Sequence, residues 1–389
     1  MPIERKVCFI TVIDRVIKYF IYPHINALLD ESFEITCITD FTDSEVLEKI
    51  QKPIKQFQVK INRQVDFPNL VRNIFVLYKH FKNNQYVMIQ YTGPSTALIC
   101  SIAGKLARVP HRVYCLWGIR FEGYKGIKRI FFRGLEKISC YLSTDILFDS
   151  NENKKFLINQ GFDIESKAKI IREGSACGIN LIDYNITKKK EYRGLIRDKY
   201  NLSDGTFIFG YVGRIIGEKG INELLYAFKK LIEINYNCVL LLVGFYEETN
   251  DLDTDLLHWA ESCDKVIFCG RQDQPEQYYA AFDTFVFPSY REGFGGGVMQ
   301  AGAFKVPSIV SDIRSLMDAI QFGQFGYYFP VGDKMSLYKV MNSVLNNHKE
   351  NERIGQLMYR RVYDFFQMQD WMNDYADFVS NMIDSDMTI

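Results

Sequence analysis

Two short segments of the sequence combine glycine with charged side chains in a pattern suited to binding phosphate. In the first segment, Gly213 and Arg214 end an apolar run. Lys219 and Gly220 follow just before a helical pattern. A glycine turn that leads into a helix presents free N–H groups and the positive end of the helix dipole, and the two cations would add donors suited to a diphosphate. Taken alone, however, this segment favours an exposed turn with two ordinary surface cations.

The second segment places a carboxylate beside a glycine-rich loop. Glu292 comes directly before residues 293–297, of which four are glycines, after a short apolar strand. Glycines let the backbone approach a ligand closely and direct several N–H groups at it. Glu292 would then accept hydrogen bonds from sugar hydroxyls, whereas the alternative is a flexible loop with a glutamate that caps a helix.

Both segments follow apolar strands in a chain that alternates strands and helices. Short, fully apolar strands of this kind predict parallel sheets covered on both faces. We predict an α/β fold of two doubly wound domains, 1–183 and 184–367, followed by a C-terminal helix, 368–389. The polar run 184–193 is the predicted linker. Two such domains would face each other across a cleft, with ligands at the carboxyl ends of the strands.

Composition excludes several classes of protein. The 389 residues include 47 Lys and Arg against 47 Asp and Glu, so a generally basic nucleic-acid-binding protein is excluded. No apolar run approaches the roughly 20 residues of a membrane span, and the early charges argue against a signal peptide. The nine cysteines are scattered singly with no C-x-x-C motif. We therefore expect no disulfide framework, no zinc site and a reducing cytoplasm.

The neutral total hides an uneven distribution of charge. Residues 1–175 hold 26 Lys and Arg against 18 Asp and Glu, and the remainder holds 21 against 29. The excess is concentrated in 105–137, where a helical pattern interleaves apolar residues with cations such as Lys128 and Arg129. This pattern indicates docking on an anionic membrane surface or on an anionic lipid-linked acceptor, or else a helix packed on its own sheet with a solvated basic face.

Taken together and in this order, the two segments resemble the family-4 retaining glycosyltransferases of the GT-B fold. The family pattern is a strand, Gly-Arg, a few residues and Lys-Gly, followed about seventy residues later by Pro-Ser, a glutamate, seven residues and a second glutamate, where this chain has Gln300. The resemblance also implies that the C-terminal helix crosses back onto the first domain. The resemblance covers most of the chain and is strongest over 207–312. Within the family, the chain is most similar to bacterial capsule and O-antigen sugar transferases, which extend lipid-linked glycans.

The resemblance implies a role for each of these residues. Arg214 and Lys219 match the cations that hold the diphosphate of the nucleotide-sugar donor and stabilise its charge as it leaves. Glu292 matches a glutamate that binds hydroxyls of the donor sugar. The other implied donor-binding residues are Gly213, Gly270, Arg271, Phe294, Gly295, Gly296, Gly297 and Gln300. Members of the family usually work without a metal or other cofactor, since cations and helix termini supply the charge.

The chain departs from the family pattern at two positions that bear on the donor. Gln300 stands where a second glutamate normally holds the ribose, and a neutral amide binds more weakly by about 1 kcal/mol. Trp117 and Gly118 stand where many members have a His-Gly pair that faces the donor sugar. These changes fit a different sugar, such as an N-acetylated or deoxy sugar against an aromatic wall, and they also fit a weakened or inactive chain.

Two residues of the N-terminal half are candidates for the acceptor side. Asp14 follows the first strand and would face the expected cleft, where it would meet the acceptor hydroxyl or, alternatively, cap a helix. Arg120 follows Trp117 and would meet an acceptor phosphate or serve as an ordinary surface cation.

The sequence thus predicts a cytoplasmic enzyme, peripheral on the cytoplasmic face of the inner membrane. It would move a hexosyl or N-acetylhexosaminyl group from a nucleotide diphosphate, UDP being the first choice, to a lipid-linked saccharide with retention at the anomeric carbon. Nucleic acid is not an expected partner. The alternatives are a GT-B phosphorylase and a non-catalytic GT-B partner subunit of a glycan assembly complex.

Overall fold

The chain divides into two compact units. The computed structural model describes residues 5–62, 66–234, 237–247 and 251–385. One unit comprises Met1–Gly178 together with Met368–Ile389, and the other comprises Ile179–Gln367. The first stretch of chain thus ends at Gly178, where the sequence suggested residue 183.

The first unit is built on a seven-stranded sheet whose paired strands all run parallel. Its strands are β1 (Lys6–Ile10), β2 (Glu34–Thr39), β3 (Lys55–Gln58), β4 (Met88–Thr92), β5 (His111–Leu116), β6 (Asp145–Phe148) and β7 (Ala168–Ile170). Their spatial order is β3-β2-β1-β4-β5-β6-β7. Because the order reverses between β1 and β4, the sheet is doubly wound.

Helices cover both faces of this sheet. A π-helical turn, Ile17–Ile21, leads into α1 (Tyr22–Asp30), and α2 (Phe67–Asn84), α3 (Pro94–Ala107), α4 (Gly126–Leu142) and α5 (Asn151–Asn159) follow. Apolar residues of α2, α3, α4 and α5 share one buried cluster with the sheet, and α1 contributes to a second cluster. Proline in the first turn of α2 and of α3 favours helix initiation there, because its missing N–H has no partner at that position anyway.

The second unit repeats this architecture on a six-stranded parallel sheet. Its strands are β8 (Phe207–Val212), β9 (Cys238–Val243), β10 (Val266–Gly270), β11 (Thr284–Phe287), β12 (Ser308–Ser311) and β13 (Tyr327–Phe329). Its helices are α6 (Lys189–Lys199), α7 (Ile221–Ile232), α8 (Thr254–Ser262), α9 (Pro275–Ala281), α10 (Gly296–Ala303), α11 (Arg314–Ala319), α12 (Lys334–Asn346) and α13 (His348–Phe365). The strand order β10-β9-β8-β11-β12-β13 reverses between β8 and β11.

The predicted linker, 184–193, is wrong. Most of this run lies in the turn Ile186–Lys188 and in α6, which packs against α9. Arg193 fixes the helix, since its guanidinium donates to the Ala281 carbonyl at 2.6 Å and pairs with Asp283 at 2.8 Å. The exposed side chains of the run, Thr187, Lys188, Lys190 and Glu191, are all polar, which explains its resemblance to a linker.

The last helix, α14 (Met368–Ser385), belongs to the first unit. Trp371 and Tyr375 are buried there and stack with ring centroids 5.2 Å apart. The Tyr375 hydroxyl donates to Gln90 of β4 at 2.6 Å. The predicted α/β architecture of two doubly wound Rossmann-like domains is confirmed.

Candidate active site

The reversal of strand order in the second sheet brings the two glycine-containing segments together. One segment follows β8 and the other follows β11, and these strands are neighbours. Gly220 ends the turn Gly217–Lys219 with a φ of +74°, and a Cβ there would lie 2.1 Å from the Pro288 carbonyl oxygen. Only glycine permits this contact between the two loops. The carboxyl ends of strands at such a reversal are where doubly wound sheets bind ligands.

Three glycines lie at this edge of the sheet, and they let its loops pack closely. Gly213, Gly244 and Gly270 lie at the carboxyl ends of β8, β9 and β10. The Gly244 N–H donates to the Gly270 carbonyl at 2.9 Å, and a Cβ on Gly244 would lie 1.7 Å from the Gly213 carbonyl oxygen. The sequence analysis missed Gly244, although the Val-Gly pair that ends β8 also ends β9 and could have identified it.

Lys219 and Glu292 form an ion pair across the two loops. The Lys219 ammonium lies 2.5 Å from Glu292 Oε1, and the two side chains are only 15% and 16% exposed. The Glu292 carbonyl also accepts a hydrogen bond from the Ser315 hydroxyl at 3.1 Å, which fixes the loop after β11. The structure therefore places together a cation and a carboxylate that lie 73 positions apart in the chain.

Arg214 is also paired with a carboxylate. Its guanidinium lies 2.8 Å from Glu247, in the segment after β9. Burial raises the pKa of Tyr211, so its hydroxyl keeps its proton and donates to the Arg214 carbonyl at 2.7 Å. A third pair joins Arg291 to Glu218 at 2.6 Å. The sequence analysis found Arg214 but missed Glu247, because no spacing rule relates the two loops.

The glycine-rich loop leads directly into a helix. Gly295 caps α10 with a φ of +91°, and a Cβ there would lie 2.4 Å from the Leu316 side chain. Gly296 has open space where a side chain would be. Phe294 is buried against Phe366, with ring centroids 5.4 Å apart. The Phe294 side chain therefore anchors the loop, and only its backbone is available to a ligand.

The remaining predicted donor-binding residues lie on two other elements of this unit. Gly270 and Arg271 are exposed at the end of β10, and Gly270 has a φ of +66°. Gln272 folds back to donate to the Cys269 carbonyl at 2.5 Å. Gln300 is half-buried on α10, the helix that begins after the glycine-rich loop.

Asp14, a predicted acceptor-side residue, is engaged within the first unit. It is buried, and its Oδ2 accepts hydrogen bonds from the Thr42 N–H at 2.6 Å and the Asp43 N–H at 3.0 Å. Burial alone would raise the pKa of Asp14, but the hydrogen bonds from Thr42, Asp43 and Arg15 outweigh it and hold the pKa below its usual range. This geometry makes Asp14 the anchor of the loop after β2.

Trp117 packs against the buried core of the first unit. Its ring lies 6.1 Å from Phe20 and 5.8 Å from His24. His24 Nδ1 accepts a hydrogen bond from the Gln90 amide at 3.0 Å. Its Nε2 lies 2.8 Å from the Ala176 carbonyl oxygen, which can only accept, so Nε2 carries the proton. Burial lowers the pKa of His24 to about 3, so its ring is neutral.

Arg120 lies beside a buried carboxyl group. Its guanidinium lies 4.7 Å from the Phe132 ring centroid and 3.4 Å from the Ser95 hydroxyl. Arg120 and Glu136 both line a small cavity, and Glu136 accepts a hydrogen bond from Tyr114 at 2.6 Å. Burial raises the pKa of Glu136 to about 7. The predicted cations Lys128 and Arg129 lie on α4, with Lys128 exposed and Arg129 near the Phe121 ring.

The described residues show neither a metal-binding cluster nor a membrane-spanning helix. No group of three or more His, Cys, Asp or Glu side chains in this part of the chain could hold a metal ion. Among the same residues, no helix combines the length and the apolar character that crossing a bilayer requires.

Two doubly wound units in one chain are the architecture of the GT-B fold. Anabaena HepE, solved in complex with UDP and glucose, superposes on the chain with a TM-score of 0.77. The match covers 97% of this chain and 100% of that one at 16% identity, and it supports the fold.

Sequence comparison gives the family. Residues 193–361 match the model for glycosyl transferases group 1, and residues 6–150 match the glycosyl transferase 4-like model. Both models describe glycosyltransferases, and together they match most of the chain. The chain therefore belongs to the glycosyltransferases, which confirms the resemblance that the sequence suggested.

One relative of the chain acts in capsule synthesis, and another acts on a lipid-linked sugar. The capsular polysaccharide biosynthesis glycosyltransferase CapM of Staphylococcus aureus is 27% identical over 334 residues, covering 84% of this chain and 87% of CapM. The UDP-Gal:alpha-D-GlcNAc-diphosphoundecaprenol alpha-1,3-galactosyltransferase of Escherichia coli is 25% identical, covering 74% of this chain and 73% of that enzyme. The chain is thus a glycosyltransferase related to enzymes of capsule and O-antigen synthesis.

Proposed function

We propose that the protein transfers a hexosyl or N-acetylhexosaminyl group from a UDP-sugar to a lipid-linked saccharide, with retention at the anomeric carbon, in the synthesis of a surface polysaccharide. The observation that carries this proposal is the Lys219–Glu292 pair in the loops that follow β8 and β11, at the carboxyl edge of the second sheet. The Escherichia coli relative takes its sugar from UDP-Gal and adds it to a diphosphoundecaprenol-linked sugar, which supports UDP as the nucleotide and a lipid-linked acceptor.

The residues of the site suit a reaction on one face of the sugar. Lys219 and Arg214 would hold the diphosphate and neutralise the charge that develops on it as the bond from the anomeric carbon to the phosphate oxygen breaks. Glu292 would bind sugar hydroxyls and fix the ring. The acceptor oxygen would form the new bond on the same face, and its proton would pass to the departing phosphate. Such a reaction needs no protein base.

The positive charge for this reaction comes, in our proposal, from side chains and the α10 N-terminus rather than from a metal ion. Activity should therefore persist in excess chelator. We further propose that the enzyme works peripherally on the cytoplasmic face of the membrane, where a lipid-linked acceptor is held. The nine free cysteines, eight of them buried, support a reducing compartment.

The direct test is a transfer assay on the full chain. The protein is incubated with each of a panel of UDP-sugars and with N-acetylglucosaminyl diphosphoundecaprenol, and acceptor-dependent release of UDP is measured. One UDP-sugar should be consumed, and nuclear magnetic resonance of the product should show the anomeric configuration of the donor. Glu292→Gln is the control, since it keeps the side-chain size but removes the charge. An inverted product would refute the proposed stereochemistry.

A second function, that of a non-catalytic partner subunit, draws support from one residue. Gln300 is neutral where the family has a carboxylate on the ribose, so nucleotide binding is expected to be weaker. Absence of nucleotide binding by the wild-type chain would favour this second function.

A further inference from the structure

Helix α4 exposes several large apolar side chains and buries two polar ones. Ile127, Ile130 and Tyr141 are 85%, 72% and 80% exposed. By contrast, the side chains that α4 buries include Glu136 and Ser139. A helix on the surface of a protein in water normally has the opposite arrangement, and a contiguous exposed apolar stripe marks a surface that something covers.

A second apolar stripe runs along α2. Phe67, Val71 and Phe75 recur every fourth residue and are 66%, 61% and 56% exposed. The opposite side of α2, which includes Leu77 and Phe81, is buried in the core of the first unit. The helix therefore has an ordinary buried side and an additional apolar stripe toward solvent.

The two stripes lie on one layer of the molecule. Helix α3 packs against both α2 and α4, and all three contribute buried residues to the same core cluster on one face of the sheet. Their solvent-exposed side chains therefore form the outer surface of this layer. We call this the outer helical surface; its exposed apolar residues are Phe67, Val71, Phe75, Leu106, Ile127, Ile130, Phe131, Ile138 and Tyr141.

The charge of these helices has a single sign. Together α2, α3 and α4 carry eight basic residues, namely Arg72, Lys79, Lys82, Lys105, Lys128, Arg129, Arg133 and Lys137. Their one carboxyl group belongs to Glu136, which is buried and bonded to Tyr114. The outer helical surface thus combines exposed apolar side chains with cations and has no exposed carboxylate from these three helices.

We infer that the outer helical surface docks on an anionic phospholipid bilayer, with the α4 and α2 stripes entering the interface together. Aliphatic and aromatic side chains would enter the acyl boundary while lysine and arginine meet the headgroup phosphates. A nucleic acid would satisfy the cations but not Ile127, Ile130 or Val71. This assignment rests on the proposed function in that a lipid-linked acceptor requires the enzyme at a membrane.

The test is sedimentation of the full chain with lipid vesicles. Vesicles of equal parts phosphatidylglycerol and phosphatidylcholine are compared with vesicles of phosphatidylcholine alone. The wild type should bind the anionic vesicles preferentially and should be released by salt. The variants are Ile127→Ser with Ile130→Ser on α4, and Phe67→Ser with Val71→Ser on α2. Each pair should weaken binding by about tenfold or more, because less apolar area enters the interface.

Charge and position have matched controls. Lys128→Gln should weaken binding to anionic vesicles by about fivefold, whereas Lys349→Gln, an exposed lysine of the second unit, should not. Likewise, Ile182→Ser replaces an isoleucine that is 80% exposed in the second unit and should leave vesicle binding unchanged. The replaced side chains are largely exposed, so the variants should unfold at the wild-type temperature.

Three results would overturn the assignment. In the first, both paired variants bind anionic vesicles as tightly as the wild type does. In the second, the wild type binds the two kinds of vesicle equally well. The third is a wild-type dimer that the paired variants convert to a monomer with no change in vesicle binding, since the surface would then join two copies. UDP affinity, measured on the same samples, reports on the proposed function separately: its absence would leave a positive vesicle result standing.

Discussion

Replacing Lys219 with alanine should weaken the binding of UDP strongly and the binding of uridine hardly at all. The ammonium group of Lys219 lies in the loop that follows β8, 2.5 Å from Glu292, and the side chain is 15% exposed. Uridine lacks the diphosphate, so a residue that acts on phosphate should not affect its affinity. The ratio of the two affinities therefore isolates the proposed role of Lys219.

The expected loss of UDP affinity follows from the strength of the hydrogen bond that Lys219 would donate to the diphosphate. A hydrogen bond to a charged group is worth about 1.5–3 kcal/mol, so the dissociation constant for UDP should rise roughly 10- to 150-fold. Turnover should fall further, by about 100- to 1,000-fold, because the charge on the departing diphosphate is greatest in the transition state.

The same substitution has a predictable effect on stability. Lys219→Ala leaves the Glu292 carboxylate, 16% exposed, without its partner, which should lower the free energy of unfolding by about 1–3 kcal/mol. Adding Glu292→Gln removes the unpaired charge, so the double variant should be more stable than Lys219→Ala alone. Urea unfolding of the wild type, the two single variants and the double variant measures this coupling.

The matched control is Lys230→Ala in the same unit. Lys230, on α7, also pairs with a glutamate at 2.8 Å, but its partner Glu233 directly follows the helix and both side chains are exposed. Its removal should change neither the UDP affinity nor the stability by a measurable amount. Calorimetric titration measures the affinities of the wild type and the two lysine variants for UDP and for uridine. Equal affinity of Lys219→Ala and the wild type for UDP would refute the reasoning.

Four further changes should have measurable effects. The pKa of His24 is about 3 in the folded chain and about 6.5 in the unfolded chain, so acid protonates the unfolded chain preferentially. The free energy of unfolding should therefore fall by up to about 5 kcal/mol as the pH drops from 6.5 to 3. His24→Gln should flatten that fall in urea titrations. Glu136, with a folded pKa of about 7, acts oppositely: stability should fall by up to about 3 kcal/mol as pH rises from 4.5 to 7, and Glu136→Gln should abolish this loss. Gly244→Ala puts a methyl group against the Gly213 carbonyl and should cost at least about 2 kcal/mol in thermal unfolding. Gln300→Glu should tighten UDP binding about fivefold in titration calorimetry.

The sequence was sufficient to predict the architecture and the loops of the candidate site. Apolar strands alternating with helices predicted the doubly wound sheets. As predicted, Arg214 and Glu292 lie in the loops that follow strands β8 and β11. Strands β3, β7 and β13 were not predicted. Each lies at the edge of its sheet, is only three or four residues long and has at most one buried residue. Edge strands lack the apolar pattern on which the prediction relied.

The partners of the charged residues could not be predicted from the sequence. Glu247 meets Arg214, and Glu218 meets Arg291, because loops from different strands end at one edge of the sheet. Spacing along the chain carries no information about such contacts. Similarly, the apolar stripe of α2 became visible only when the structure showed that Leu77 and Phe81 already supply its buried side.

The most direct test of the proposed function is thermal unfolding of the full chain with UDP, GDP, ADP and a panel of UDP-sugars. A ligand at 100 times its dissociation constant stabilises the folded state by about 2.7 kcal/mol, which raises the midpoint by a few degrees. We predict a rise with UDP, a larger rise with one UDP-sugar and none with GDP or ADP. An unchanged midpoint with every nucleotide would contradict a donor site built on Lys219, Arg214 and Glu292.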